Sequence, residues 1–232
     1  MSTSTPRHFY DSQYHFEEDA AQPDEKRIWH ALGRLGAMGG LSFLDVGCGA
    51  GWAIHMARRD APVAQAVGVD FSITALKLAR RHSPHVLWVQ ADGTSLPFTD
   101  ASFDRLFCNG ALEHFPDVKK GIHEIARVLK HNARAVIIVP NFYVKTEQPM
   151  EFAASYWNWK RQFESAGLSV VSVAKDWGPP VFKNGNLKRA LARLAGKIIT
   201  AMPFMQYQFI FVLWKHGWVK PQSVCKRGGH GP

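Results

Sequence analysis

Three acids stand where apolar runs end: Asp45 in SFLDVG (42–47), Asp70 in QAVGVD (65–70) and Asp92 in VLWVQAD (86–92). The first is followed by Gly47, Gly49 and Gly51, and then by WAIHMARR at helical spacing. Glycines in a strand-to-helix turn permit backbone angles closed to other residues and let a ligand lie directly on the main chain. Such a turn, at the carboxyl end of a sheet, is the natural place for a cofactor. A carboxylate closing the second strand can accept both hydrogen bonds of a ribose diol, and one closing the third is within reach of an adenine amino group. Charge-assisted bonds of this kind contribute about 1.5–3 kcal/mol each. Three carboxylates together disfavour a pyrophosphate and favour a cationic nucleoside. The dinucleotide pattern GxGxxG would need glycine at Trp52, which argues against NAD or FAD. The competing structural readings are caps: Asp45 for a helix over 50–60, and Asp70 for a helix starting at Ser72.

The elements that would position these acids follow from the apolar pattern. Strand-length runs cover 42–47, 65–70, 86–92, 103–109, 134–140, 168–176 and 208–217, with helix-patterned segments at 50–60, 72–82, 117–130 and 150–166. Near-continuous apolar strands alternating with helices predict an α/β architecture, a parallel sheet covered on both faces. A long return over 177–207 separates the last two strands and suits an antiparallel closure of the sheet edge.

A chain of 232 residues that is 46% hydrophobic can bury a full core, and one domain accounts for it. Cys48, Cys108 and Cys225 are odd in number and widely spaced, so they offer neither a disulfide framework nor a CxxC metal pair. His82 and His85 lack the further ligands of a metal set, and no metal site is expected. A reducing, cytoplasmic setting fits these thiols. The N-terminus shows no apolar signal segment, and FIFVLW (209–214) is too short to span a bilayer. Of the 28 basic residues, ten lie at or after Lys175, against one of the 19 acids, so the net charge of +9 belongs to the last quarter of the chain.

The runs LDVGCGAG, VGVDFS, ADGTSLPF and FDRLFCNGALEHFPD, in this order and spacing, resemble the successive motifs of class I S-adenosylmethionine-dependent methyltransferases, in particular the ubiquinone/menaquinone C-methyltransferase-like branch. The resemblance covers residues 40 to about 141. It implies a Rossmann-like seven-stranded sheet of order 3-2-1-4-5-7-6 with strand seven antiparallel and helices on both faces. It also implies S-adenosylmethionine as cofactor and S-adenosylhomocysteine as product. Gly47, Gly49 and Gly51 would then pass beneath the methionine part, with Asp45 near its amino group. Asp70 would hold the ribose hydroxyls, Phe71 would pack on the adenine, and Asp92 with the amide of Gly93 would read the adenine edge. Asn109 would offer its main-chain carbonyl to the methionine ammonium.

On this reading the chain is one methyltransferase domain: an N-terminal helical cap or lid (1–38), a cofactor half (39–141) and a substrate half (142–232) with a basic helix over 186–202. His114, just after the fourth strand, is the candidate general base for a hydroxyl acceptor; packing on the cofactor or its loop is the alternative, and Glu113 reads as a surface or capping group. Tyr10 and Tyr14 are candidates for closing the site, against a plain anchoring role for the aromatic leader, and Tyr143 for a substrate wall. The expected acceptor is a small or lipid-like molecule methylated at oxygen or carbon. An RNA methyltransferase, or a binding partner that keeps the cofactor fold without catalysis, is the alternative. The basic helix is either an ordinary cover of the sheet, a contact for an anionic membrane or acidic lipid-linked acceptor, or, less favoured, a nucleic-acid surface.

Overall fold

Strand β1 (Ser42–Val46) is buried along nearly its whole length, as its unbroken apolar run requires of a strand covered on both sides. Its neighbours are β2 (Gln65–Asp70) and β4 (Phe103–Asn109), both parallel to it. In the computed structural model, which describes residues 24–60, 62–142, 151–175 and 208–217, seven strands form one sheet. The others are β3 (Leu87–Gln90), β5 (Leu129–Pro140), β6 (Leu168–Lys175) and β7 (Gln208–Lys215). The order is β3-β2-β1-β4-β5-β7-β6, and β7 runs antiparallel to both β5 and β6. The expected α/β sheet and its closing strand are therefore both present.

Two apolar layers cover the sheet. One face packs α1 (Glu25–Leu32), α2 (Trp52–Asp60) and α3 (Ile73–His82) over Phe43, Phe107, Val136, Ile138, Ile210 and Val212. The other packs α4 (Val118–Val128) and α5 (Tyr156–Ser165) over Leu106, Ile137, Phe209 and Phe211. The expected cap 1–38 is described only from residue 24, and within that part Ala31, Leu32, Leu35 and Met38 are buried. Side-chain oxygens of Asp24, Ser72, Asp117 and Ser155 accept amide hydrogens in the first turns of α1, α3, α4 and α5. These are the residue types whose short acceptors satisfy orphan helix donors.

Three boundaries differ from the sequence reading. Residues 129–133, expected as the end of a helix and a turn, already belong to β5, because Leu129 pairs with Phe103 and the ladder shifts register before Arg105. Within that stretch Asn132 takes a left-handed φ of 61°. Strand β3 ends at Gln90, so Asp92 lies in the following turn rather than on the strand. The helix expected from 150 begins at Tyr156, since Ala154 forms a bridge with Asn141 and accepts the amide hydrogen of Phe142.

The basic segment 186–202, Tyr10, Tyr14 and Tyr143 lie outside the described residues. Among the described residues, no helix is long and apolar enough to cross a membrane.

Helix α5 sets the end of β5. Trp159 is fully buried, stacks on Phe163, and donates its indole hydrogen to the Pro140 carbonyl at 3.0 Å. Trp159→Phe keeps an aromatic ring but strands that buried carbonyl. It should lower unfolding stability by about 1–3 kcal/mol, read as a shift in denaturant midpoint.

Candidate active site

The carboxyl ends of β1, β2, β3 and β4 meet at one edge of the sheet, and the turn after β1 forms its floor. Gly47, Gly49 and Gly51 all take left-handed φ values, 69°, 52° and 79°, which a side chain would strain. The turn is also wedged. A Cβ on Gly47 would lie 2.1 Å from that of Ala111, and one on Gly51 would lie 2.4 Å from the Trp88 indole. That indole also crosses Gly68 and donates its ring hydrogen to the Ser83 carbonyl at 3.1 Å. The glycines at 47 and 51 thus serve protein packing as well as an open ligand face.

Asp70 ties this turn to β2. One carboxylate oxygen accepts the Gly49 amide hydrogen and the other that of Ser72, both at 2.9 Å. The Val69 carbonyl accepts from Gly47 at 2.8 Å and from Cys48 at 3.0 Å. Helix α3 is capped by Ser72 itself, so Asp70 is not its N-cap. Asp45 lies between Gly68 and Phe107 in register and is 2% exposed. Burial, and next the charge of Asp70, push its pKa up from 3.8 to about 8. Asp45 is therefore a buried acid in want of a cationic partner, not a helix cap. Phe71 follows directly, half-buried, its carbonyl accepting from the Gln90 side chain at 3.0 Å.

Asp92 is exposed and accepts the Thr94 amide hydrogen at 2.7 Å in its own turn. The Phe115 ring fills the space a side chain would need at Gly93. The loop beyond is anchored by a residue the sequence reading did not single out. Arg127 on α4 donates to the carbonyls of Leu96 (2.9 Å) and Phe98 (2.7 Å) and to the carboxylates of Glu124 and Asp100, while Glu124 accepts the Leu96 amide hydrogen. An RxL pair late in a helix gives no local sign of such a role, because every partner except Glu124 comes from a distant stretch of the chain.

Opposite the glycine turn, Asn109 ends β4 at an exposed position, and Leu112–His114 form a short 3-10 turn. His114 is half-buried there. Glu113 departs from its expected surface role: it is 2% exposed, its Oε2 has no hydrogen-bond partner, and burial raises its pKa from 4.5 to about 8. Its carbonyl accepts the Phe152 amide hydrogen at 2.8 Å, which draws the segment before α5 to this edge. Phe142, Phe152 and Trp157 are exposed close by. Cys48 and Cys108 are buried free thiols whose pKa values burial pushes up, so neither is a nucleophile. His82 stacks on Trp52 at 4.4 Å and contacts the Ala50 carbonyl at 3.2 Å. No metal-holding group of His, Cys, Asp or Glu occurs among the described residues.

This sheet order with a glycine turn and acids at successive strand ends defines a Rossmann-like methyltransferase fold. Residues 44–137 match the family model described as a methyltransferase domain. Among curated relatives, 2-phytyl-1,4-naphtoquinone methyltransferase of Trichormus variabilis is 37% identical over 123 residues, 49% of this chain and 54% of the relative. Demethylmenaquinone methyltransferase of Lactococcus lactis is 34% identical over 119 residues, covering 48% and 47%. The chain thus spans about half the length of the curated relatives it matches. A chain from the complex between the Haloferax volcanii Trm112 methyltransferase activator and a methyltransferase superposes with TM-score 0.72 at 20% identity, covering 90% of this chain and 98% of that one. Phosphoethanolamine N-methyltransferase 2 of Haemonchus contortus, solved with S-adenosyl-L-methionine, gives TM-score 0.66 at 18% identity over 92% and 58%.

Two measurements test this site. Arg127→Ala leaves the Leu96 and Phe98 carbonyls without their donor and should cost about 1.5–3 kcal/mol of stability, with the 92–98 loop gaining hydrogen-exchange rate first. The buried carboxyls set a pH dependence. Asp45 and Glu113 keep their protons to about 8 when folded but ionise from 3.8 and 4.5 when unfolded. Their contribution is whole below about pH 4 and is lost as pH rises to about 8. The ligand-free protein should therefore lose up to about 1.4 kcal/mol per pH unit for each carboxyl in that window. Asp45→Asn combined with Glu113→Gln should flatten the profile in a pH series of thermal melts.

Proposed function

We propose that this protein is an S-adenosylmethionine-dependent methyltransferase that acts at oxygen or carbon of a small-molecule or lipid-like acceptor. The observation that carries this reading is the pair Asp45 and Asp70 at the left-handed glycine turn: a buried proton-bearing acid beside a carboxylate that already holds the Gly49 amide hydrogen. A dinucleotide pyrophosphate would be repelled there, whereas an ammonium favours the ionised form of Asp45, which releases its proton to solvent and pairs with the cation. A carboxylate oxygen carries two acceptor directions, so Asp70 can take a ribose hydroxyl as well as a backbone amide. Phe71 offers a ring for the adenine, Asp92 with the Gly93 amide reads the adenine edge, and the Asn109 carbonyl receives the ammonium.

Bound there, S-adenosylmethionine supplies a methyl group that is already electrophilic. The chain's own task is alignment of the acceptor, which can contribute up to about 7–11 kcal/mol. His114 stands at the edge after β4 to take the proton of a hydroxyl acceptor, an effect of about a hundred- to ten-thousandfold. The exposed Phe142, Phe152 and Trp157 support an apolar acceptor, as do the quinone names carried by the relatives.

Calorimetry with S-adenosylmethionine and S-adenosylhomocysteine tests the cofactor. Both should bind, with proton release below about pH 8 and affinity rising as pH approaches that value. Asp70→Ala should weaken binding by about ten- to a hundredfold; unchanged affinity overturns the ribose assignment. His114→Ala should lower turnover by about a hundredfold or more while leaving cofactor affinity unchanged. With labelled cofactor and a cell extract, label is expected in the lipid or small-molecule fraction, and label in RNA would overturn the acceptor class.

A further inference from the structure

At the opposite end of the sheet, the face under α1 carries a row of in-register neighbours, Arg105 on β4, Arg134 on β5, Trp214 on β7 and Ser169 on β6. Phe43 on β1 closes the row beside Arg105. In-register residues of adjacent strands point to the same side, and the strands lie about 4.8 Å apart. Two guanidinium groups are thus set side by side. Like charges in this arrangement destabilise a sheet, and burial followed by the charge of Arg134 lowers the pKa of Arg105.

No carboxylate forms an ion pair with either arginine among the described residues, and the charge of Asp104 offsets the repulsion at Arg105 only in part. The nearest acid in sequence, Asp104, is taken up by the Ser42 amide and hydroxyl and by Lys130, at 3.0, 2.6 and 2.8 Å. Each arginine is held by a single carbonyl, Arg105 by that of Asp104 at 2.9 Å and Arg134 by that of Arg34 at 3.3 Å. The Nε atoms of Arg34, Arg105 and Arg134 are all buried without a partner. Arg134 is nonetheless fixed, its guanidinium 5.5 Å from the Trp214 ring centroid and its Nη1 3.0 Å from where a Cβ on Gly36 would stand. A third cation, Arg34, flanks the pair with its Nη2 3.1 Å from His30.

We propose that Arg105 and Arg134 form a binding site for a phosphate group, lying at the end of the sheet away from the cofactor turn. Adjacent planar forks with open N–H groups match the oxygens of a tetrahedral anion, which would replace mutual repulsion with two charge-assisted contacts. Arg134 lies six residue steps before Pro140 on β5, about 20 Å of strand, so this anion is an anchor or effector and not the methyl acceptor. The group comes either from a soluble phosphorylated compound or from a phospholipid headgroup.

The full chain is melted in phosphate-free buffer while inorganic phosphate replaces chloride at constant ionic strength. A saturable rise in midpoint is expected, with the phosphate requirement shifted by at least about tenfold in Arg105→Gln and in Arg134→Gln. Arg105→Lys, which keeps the charge and loses the fork, should fall between. Without phosphate, Arg105→Gln should melt at or above the wild-type midpoint, because it removes a repulsion. Flotation with phosphatidylcholine vesicles, with and without phosphatidic acid, identifies the source. Arginine-dependent flotation on the acidic vesicles assigns a headgroup, and a phosphate shift without flotation assigns a soluble compound. The proposal is overturned if chloride gives the same shift, if both glutamine variants keep it, or if Arg105→Gln lowers the phosphate-free midpoint.

Discussion

The hydrogen bond from the Gly49 amide to the Asp70 carboxylate joins the turn after β1 to the end of β2, and the rest of the edge is arranged around it. It holds only because that turn is fixed from both sides. Ala111, in the loop after β4, fills the space beside Gly47, and the Trp88 indole from β3 fills the space beside Gly51. Side chains from β3 and from the loop after β4 thus clamp one left-handed turn, whose Gly49 amide points where β2 presents its carboxylate. A methyl group at either glycine would displace the clamp as well as strain the backbone, so ligand face and core packing are set by the same residues.

Electrostatics divides the molecule by pole. At the carboxyl end, Asp45 and Glu113 are buried acids raised to about 8, a cost the fold carries where a cationic ligand can offset it. At the other end, Asp104 goes the opposite way. Burial would raise it, but hydrogen bonds from Lys130 and Ser42 outweigh that and bring it to about 2. Next to this satisfied pair stand Arg105 and Arg134, which have no such compensation among the described residues. The contrast between Asp104 and the two arginines shows that an unpaired charge here is a property of the site and not of the whole edge.

Much of the site was legible before the fold. Asp45, Asp70 and the three glycines were identifiable because strand ends and turns leave local marks: an apolar run, a terminal acid, then residues that tolerate left-handed angles. Asp92 was legible as a residue but misplaced by two positions, since the sequence VQAD continues the strand pattern beyond the last ladder pair at Gln90. Glu113 reads as a surface group because a charged residue next to a histidine before FPD looks solvated; the structure buries it, with Phe152, from a distant stretch, donating its amide hydrogen to the Glu113 carbonyl. Arg127 was silent because its carbonyl partners lie about thirty residues away in sequence.

The sequence by itself determined the types and order of the elements, the glycine turn and the acids at the strand ends, since those depend on backbone preference and on short-range apolar period. Only the tertiary structure decided which acids keep their protons, which arginines stand side by side without an ion pair, and that Trp88 and Ala111 hold the turn. Burial and pairing are properties of neighbours brought together from distant parts of the chain, and strand register, not local spacing, chooses those neighbours.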